Sequence, residues 1–298
     1  MRDIIEHYNQ ILFALYTISM NQPLVSVIFA TKNAEKFIKN SLESVKKQTY
    51  RAIEIIVVDN YSTDHTIMIA KKYTDDVYKY GLERSSQRNF GVKKSNGKYL
   101  LFLDADMQLS PKVIERCVAM NNKSNIGGIY IPEIIKGKNY WSKVRNFERQ
   151  FYNGTVIDAV RFLPKEVFKN IGGFDENLYA GEDWDLDRRV RKIGRTAIVS
   201  VPLYHDENNF SLAKYLQKKS YYSLGIQTYR QKWKNDPDTQ KQLGFWYRYF
   251  LVFIENGKWK RLIKHPFLTC GMMFLKICIG ILYLYNKSNE KNRPQKNF

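Results

Sequence analysis

Apolar and polar residues follow two alternating periods along the chain from Leu24 onward. Three short apolar runs, at residues 24–29, 53–58 and 99–103, are typical of strands buried on both faces of a sheet. Stretches with apolar residues on one helical face cover residues 35–48 and 64–73, and another begins at Ser110. Strand and helix patterns that alternate in this way predict an α/β fold with a mostly parallel sheet.

Residues that favour helix starts predict where these helices are capped. Ser62 and Thr63 precede the second helical stretch, and either hydroxyl suits an N-cap. Ser110 is followed by Pro111, which fits an N-cap with proline in the first turn. We therefore expect the third helix to start at this pair.

A later helix is predicted to begin at Asp183 and to end at Gly194. It is followed by a strand-like run at residues 196–201, after which His205 comes. The apolar face of this helix is formed by Leu186, Val190 and Ile193. An acidic first turn also complements the helix dipole, so the sequence leaves a purely structural role open for Glu182 and Asp183.

Polar residues follow each of the three buried runs. They are Thr31, Lys32 and Asn33 after the first, Asp59 and Asn60 after the second, and Asp104 and Asp106 after the third. Ligands of open α/β sheets bind beyond the carboxyl ends of the strands, so we expect these groups to line one crevice. The chain contains neither G-x-G-x-x-G after the first strand nor a P-loop motif, which disfavours dinucleotide binding and P-loop chemistry.

Asp104 and Asp106 are separated by one residue at the end of an apolar run. Paired carboxylates suit Mg²⁺ or Mn²⁺, and these ions usually complete their coordination with water and substrate phosphates. The pair therefore predicts a metal that carries a phosphorylated molecule, although such pairs also occur by chance in surface turns.

The charge of the chain points to anionic partners. The formal net charge is +19 over 298 residues, which favours nucleic acid, anionic lipid or phosphorylated substrates. Cys117, Cys270 and Cys278 are scattered, which argues for a reducing compartment and against a zinc site or disulfide framework. Residues 1–21 do not read as a signal peptide and are predicted to be an extension, either dispensable or an interfacial helix.

The composition shifts after His205. Residues 22–208 are therefore predicted to form one domain and residues 209–286 a helical C-terminal region, followed by a basic tail at 287–298. Pro266–Tyr285 is apolar and long enough to span a bilayer, with Lys276 near its middle. Basic residues flank it on both sides, so no orientation follows. We expect an in-plane or re-entrant helix on an anionic membrane; a buried core helix is the alternative.

Five motifs in order resemble family 2 glycosyltransferases of the GT-A fold. They are VSVIFATKN at 25–33, EIIVVDNYSTD at 54–64, Asp104-Ala105-Asp106, GGFD at 172–175 and EDWDL at 182–186. The resemblance covers roughly residues 22–205 and implies a Rossmann-like GT-A domain. Ala30 and Lys32 stand where proline and tyrosine are common in the family.

The resemblance implies a role for each matching residue. The nucleotide pocket would be lined by Thr31, Asn33, Asp59, Asp104 and Ala105, and Asp59 would hydrogen-bond the base. Asp106 would bind Mn²⁺ or Mg²⁺, Asp104 would serve the ribose and the metal indirectly, and His205 would be a further metal ligand. Asp183 would take the proton of the acceptor hydroxyl, with Glu182 as the alternate base.

Arg84 and Arg88 lie just upstream of the third strand. They fit phosphate contacts to the nucleotide, and a solvated basic helix start is the alternative. Together these features predict an inverting, metal-dependent glycosyltransferase that uses a UDP- or GDP-linked sugar on the cytoplasmic face of the cell membrane, or in the cytoplasm.

The acceptor is predicted to be a glycan or a polyprenyl-linked sugar in cell-surface polysaccharide or glycoconjugate assembly. A polyprenyl-phosphate sugar synthase is the main alternative. Its anionic phosphate acceptor would need no general base, whereas a sugar hydroxyl does, so Glu182 and Asp183 favour the hydroxyl acceptor. A nucleic-acid-binding protein and a non-catalytic protein of the same fold are more remote; no RNA-binding or helix-turn-helix pattern supports nucleic acid.

Overall fold

The computed structural model describes residues 22–207 and 210–290, except for the side chains of residues 224 and 286–290. The predicted extension at 1–21 and the last eight residues of the predicted tail lie outside the described residues. Ten strands are described: β1 (Val25–Thr31), β2 (Ile53–Asp59), β3 (Val77–Lys79), β4 (Tyr99–Asp104), β5 (Met107–Leu109), β6 (Gly128–Tyr130), β7 (Glu133–Lys136), β8 (Phe162–Pro164), β9 (Thr196–Ile198) and β10 (Leu203–Asp206).

The helices of the described chain surround these strands. They are α1 (Ile38–Lys46), α2 (Thr66–Ala70), α3 (Arg84–Lys94), α4 (Val113–Ser124), α5 (Tyr140–Arg149), α6 (Lys165–Asn170), α7 (Glu182–Ile193), α8 (Leu212–Lys232), α9 (Pro237–Leu243), α10 (Val252–Ile254), α11 (Trp259–Lys264) and α12 (Pro266–Glu290). A π-helical turn at Tyr247–Leu251 precedes α10, and a 3₁₀ turn at Glu255–Gly257 follows it.

Seven strands form the main sheet, in the order β3-β2-β1-β4-β8-β6-β9. The four strands from β3 to β4 are parallel to one another, and β8 runs antiparallel to both of its neighbours. The register pairs Thr31 with Asp59 and Ala30 with Asp104. This arrangement confirms the predicted α/β fold with a mostly parallel sheet, and it brings the ends of the three apolar runs to one edge.

Apolar side chains cover both faces of this sheet. On one face, α1 and α4 contribute buried residues such as Leu42 and Cys117 to the core. On the other face, α3 and α7 contribute Val92, Leu186 and Val190. The domain is therefore built of three layers, and because each strand is buried on both sides, its sequence is continuously apolar.

A smaller sheet, β5-β10-β7, stands beside the main one. His205 lies within β10, opposite Met107 of β5. The prediction that placed His205 after the last strand was therefore wrong: the strand-like run at 196–201 breaks after Ile198, and a separate strand begins at Leu203.

Three details of the predicted helices are wrong. Helix α4 begins at Val113 with Lys112 at its N-cap position, and the buried Ser110 hydroxyl makes no hydrogen bond in the described part of the chain. At α2, neither Ser62 nor Thr63 is the N-cap; the Asp64 carboxylate accepts from the backbone N–H of Thr66 instead. Ile193 of α7 is 55% exposed, because the helix has already passed the edge of the core.

The C-terminal helices form a third core against α5, which includes Phe147, Tyr215, Phe253 and Met272. Helix α12 continues to Glu290, beyond the predicted end at Tyr285. Its stretch Pro266–Tyr285 has a mean hydropathy of 2.0 and qualifies as a membrane span by length and composition, while 22% of it is buried in the protein.

Lys276 of α12 points into the protein rather than away from it. It is 4% exposed, and its Nζ lies 2.8 Å from Glu148 Oε1 and donates to the Tyr152 hydroxyl at 2.6 Å. The opposite side of the helix is exposed and apolar, with Phe267 at 82%. One side of α12 thus packs in the core, as the alternative prediction has it. The other side is not covered by any other element in the described part of the chain.

Candidate active site

The first wall of the crevice is formed where β1 and β2 end. Asp59 is fully buried, and its carboxylate accepts from the Thr31 hydroxyl at 2.9 Å and from the Ser62 hydroxyl and backbone N–H at 2.6 Å each. Asn33 has a φ of 47°, and its side-chain oxygen accepts from the Thr63 backbone N–H. The two loops are therefore fastened together by Asp59 and Asn33; the position of Asp59 beside a nucleotide base stays a prediction.

One buried arginine joins the two acidic motifs. Arg88 of α3 is 1% exposed; its guanidinium donates to Asp183 Oδ1 at 2.7 Å and to Asp104 Oδ1 at 2.9 Å. Burial acts to raise the pKa of Asp104, but the positive charges of Arg88 and Arg161 hold this pKa well below its usual range. Asp104 and Asp183, which are far apart in sequence, thus lie on the same cation.

Glu182 stands behind Asp183 at the start of α7. It is 3% exposed and lies 2.9 Å from Arg84. Burial, with the neighbouring charge of Asp183, raises the pKa of Glu182 to about 7 against the opposing attraction of Arg84. The side chain of Asp183 is 39% exposed, so of the two carboxylates Asp183 is the one open to an incoming molecule.

Asp106 meets His205 across the smaller sheet. Its Oδ2 lies 3.0 Å from Nε2 of His205, while Nδ1 lies 2.9 Å from Glu133 Oε1. Burial alone would lower the pKa of His205, but hydrogen bonds with Asp106 and Glu133 raise this pKa to about 10. Ala105, between the two aspartates, is half-buried.

Sequence reasoning missed the carboxylate and arginines behind this histidine. Glu133 is 6% exposed and lies 3.2 Å from Arg149 and 3.6 Å from Arg161. Arg161 also lies 3.9 Å from Asp104 Oδ2. Burial acts to raise the pKa of Glu133, but the positive charge of Arg149 holds this pKa well below its usual range. These residues belong to no motif and no strand end of the first three runs, so only the fold reveals them.

The structure brings all the predicted site residues to one edge of the main sheet. Some of them are open to solvent and others are buried. Asn33 is exposed, and Ala105, Asp106 and Asp183 are partly open. Thr31, Asp59, Arg88 and Glu182 are buried. Both terminal nitrogens of Arg88 are occupied by carboxylates, whereas the side chain of Arg84 is 34% exposed. Phosphate contact stays a prediction for both arginines.

A family described as Glycosyl transferase family 2 matches residues 26–172. An uncharacterized glycosyltransferase of Rickettsia typhi is 32% identical over 186 residues, which is 55% of this chain and 57% of that protein. The minor teichoic acid biosynthesis protein GgaB of Bacillus subtilis is 26% identical over 80% of this chain and 29% of its own length. The part of the chain at residues 26–172, just under half of it, is thus of the glycosyl transferase family 2 type. The whole chain spans a little over half the length of the Rickettsia typhi relative.

Two solved structures share the fold. Mannosyltransferase PcManGT from Pyrobaculum calidifontis, in complex with GDP-Man and Mn²⁺, has a TM-score of 0.61 and 16% identity, with 90% of this chain and 89% of that chain covered. S. aureus TarS 1-349 in complex with UDP-GlcNAc has a TM-score of 0.50 and 18% identity, with 92% and 93% covered. These likenesses confirm the predicted GT-A type of fold.

Proposed function

We propose that this protein is an inverting, metal-dependent glycosyltransferase that moves a sugar from a UDP- or GDP-linked donor to a hydroxyl of a glycan or polyprenyl-linked acceptor. The observation that carries the proposal is the Arg88 bridge between Asp104 and Asp183. It fixes the carboxylate of the donor side next to the carboxylate of the acceptor side. The family match and the nucleotide sugars held by the two structural neighbours support it.

Asp183 has the geometry of a general base. Arg88 engages only Oδ1, and Oδ2 makes no hydrogen bond within the described residues. This oxygen is therefore available to accept the proton of an acceptor hydroxyl as the hydroxyl attacks the anomeric carbon. A single displacement needs one base and no enzyme nucleophile, which supports inversion of the sugar.

Asp106 and His205 are the residues that would hold the metal. Two adjacent ligands of an octahedral ion with bonds of about 2.1 Å lie about 3 Å apart, and the Asp106 oxygen and the His205 nitrogen are 3.0 Å apart. No cluster of three or more His, Cys, Asp or Glu ligands occurs in residues 22–207 and 210–290, so substrate oxygens and water would complete the shell. When bound, Mn²⁺ or Mg²⁺ would stabilise the charge of the leaving diphosphate.

The residues of the chain do the rest of the binding. Glu133 orients the His205 ring through Nδ1, and such contacts fix the orientation of a ligating imidazole. Arg84, at the mouth of the crevice, is placed to meet a donor phosphate, and Thr31, Asn33 and Asp59 would shape the pocket for the base. Cell-surface polysaccharide assembly is the proposed context, supported by the likeness to GgaB.

We place the enzyme on the cytoplasmic face of the cell membrane. The C-terminal region exposes large apolar side chains beside basic ones: Trp246, Trp259, Ile263 and Phe267 are 46–82% exposed, and Lys260, Arg261 and Lys264 are exposed near them. Such a mixture suits an interfacial helix on anionic lipid. The lysine inside α12 is held by Glu148, which supports a helix lying on the membrane rather than crossing it.

A thermal-shift screen of UDP- and GDP-sugars with Mn²⁺ tests the donor site. We expect one donor to stabilise the wild type and to give little shift with Asp106→Ala. Glu166→Ala should respond as the wild type does, because Glu166 is exposed on α6, which follows Pro164 at the opposite end of β4 from Asp104. Equal stabilisation of the wild type and Asp106→Ala would remove the metal-dependent site. Nucleic acid that binds equally to the wild type and to Asp106→Ala, with no donor binding, would favour the remote alternative.

A further inference from the structure

A second group of basic side chains lies outside the crevice, between the domain and the C-terminal helices. Arg145 belongs to α5, Lys219 to α8, Arg248 to the π-helical turn and Lys276 to α12. Arg145 and Lys219 both face the Tyr215 ring. Arg145 and Lys276 both contact Glu148, and the charge of Arg248 acts on Lys219 as well. Four elements thus bring their cations to one place, and π-helical turns often occur at functional sites.

The carboxylates nearby do not balance this charge. Glu148 is shared between Arg145, at 2.6 Å, and Lys276, at 2.8 Å. Glu207 lies 3.6 Å from Arg145. Neither Lys219 nor Arg248 forms an ion pair in the described part of the chain; Arg248 donates to the Gln242 carbonyl at 3.0 Å. Two cations are therefore left without a counter-charge.

A hydrogen-bonding group in the same place also lacks a partner. Tyr215 lies one turn before Lys219 on α8 and is 9% exposed, and its hydroxyl is buried without a hydrogen bond among the described residues. The Arg145 guanidinium lies 4.8 Å and the Lys219 ammonium 5.4 Å from the Tyr215 ring, and Arg145 Nε faces Glu207 Oε2 at 3.6 Å. A buried donor without a partner costs about 1–3 kcal/mol, so the Tyr215 hydroxyl calls for an acceptor.

The protonation of Lys219 agrees with a missing anion. Burial, with the repulsion of Arg145, Arg248 and Lys276, lowers the pKa of Lys219 to about 7, although Glu148 opposes the shift. The side chain is nevertheless only half-buried, so a ligand can reach it. A nearby negative charge would restore the charged form.

We propose that Tyr215, Lys219 and Arg248 form a binding site for a phosphate or diphosphate group, and that this group belongs to the acceptor. The second part rests on the proposed function. The Arg248 guanidinium lies 5.7 Å from the Trp184 ring, and Trp184 directly follows Asp183. A phosphate held here would anchor an acceptor whose sugar hydroxyl reaches Asp183, so the acceptor is of the phosphate-linked class.

Binding of farnesyl diphosphate and of inorganic diphosphate to the full chain tests the site. Both are titrated by calorimetry in EDTA with the Asp106→Ala protein, so that the metal-dependent donor site does not contribute. We expect Lys219→Met to weaken binding about tenfold or more and Lys219→Arg to retain most of it. Lys218→Met, one residue away and exposed, is the matched control and should bind normally.

The two probes distinguish the source of the phosphate. Tighter binding of farnesyl diphosphate assigns a lipid-linked acceptor, and equal binding assigns the phosphate of a soluble or polymeric acceptor. No binding of either probe, or equal loss in Lys219→Met and Lys218→Met, would overturn the site. The thermal shift of Lys219→Met with the donor separates the two proposals. Unchanged stabilisation by the donor, together with lost diphosphate binding, supports the phosphate site. If no donor binds to the wild type or to any variant, the result counts against the proposed transferase function and not against the phosphate site.

Discussion

Replacing Arg88 by methionine removes the cation that Asp104 and Asp183 share and leaves an unbranched apolar side chain in place of the arginine stem. The guanidinium makes two charge-assisted hydrogen bonds, of 2.7 Å to Asp183 and 2.9 Å to Asp104. Each such bond contributes about 1.5–3 kcal/mol, and the arginine is 1% exposed. We therefore expect the free energy of unfolding to fall by about 3–5 kcal/mol, the range found when one partner of a buried ion pair is removed.

Urea denaturation of the wild type and Arg88→Met measures this loss. Arg116→Met is the control, because Arg116 is exposed on α4 and surface substitutions usually change stability by less than about 0.5 kcal/mol. Arg88→Lys keeps the charge but cannot span both carboxylates, so we expect an intermediate stability.

A double-mutant cycle with Asp183→Asn isolates the bridge. Asp183→Asn should be destabilising in the wild type and nearly neutral, or stabilising, in Arg88→Met, because there it removes an unpaired carboxylate. We expect a coupling free energy of about 2–3 kcal/mol. A coupling within about 0.5 kcal/mol of zero would refute the view that Arg88 holds the two motifs together.

Three further results are expected. Asp183→Asn should lower turnover by about 10²–10⁴-fold with donor binding unchanged; near-normal turnover, once donor and acceptor are known, would remove Asp183 as the base. The folded pKa of Glu182 is about 7, above the unfolded value of about 4.3, so the wild type loses stability as the pH rises through this window. Glu182→Gln has no such proton to lose, and its stability relative to the wild type should increase between about pH 5 and pH 8 in urea titrations; a difference that is flat with pH contradicts this. Phe267→Asp should reduce flotation with vesicles of anionic phospholipid, while Leu82→Asp, at a residue 79% exposed in the catalytic domain, should float as the wild type does; equal flotation of both variants would argue against α12 as the membrane contact.

The strands were predictable because their burial is recorded locally. A strand covered on both faces must be apolar at every position, so the ends of β1, β2 and β4 could be read to within two residues. The polar residues at those ends followed, and so did their common edge, because parallel strands end on the same side of a sheet.

The groups that depend on contacts between distant segments could not be predicted. Nothing in the sequence around Arg88 distinguishes it from Arg84, yet one is buried between carboxylates and the other is partly open. Glu133 has no motif to mark it, and it matters only because β7 and β10 pair. The N-cap at Ser110 failed for the same reason: a local preference was overridden by how the segment packs.

The pairing of Lys276 with Glu148 affects the order of events when the protein is made. Glu148 leaves the ribosome well before the apolar helix that carries Lys276, and domains fold from the N-terminal side during synthesis. A lysine at the middle of a membrane span costs about 2.5–3.5 kcal/mol on insertion, whereas in the folded protein it lies 2.8 Å from a carboxylate. We therefore expect Glu148, once in place, to compete with membrane insertion for the nascent helix, and loss of that carboxylate to shift newly made chains toward insertion.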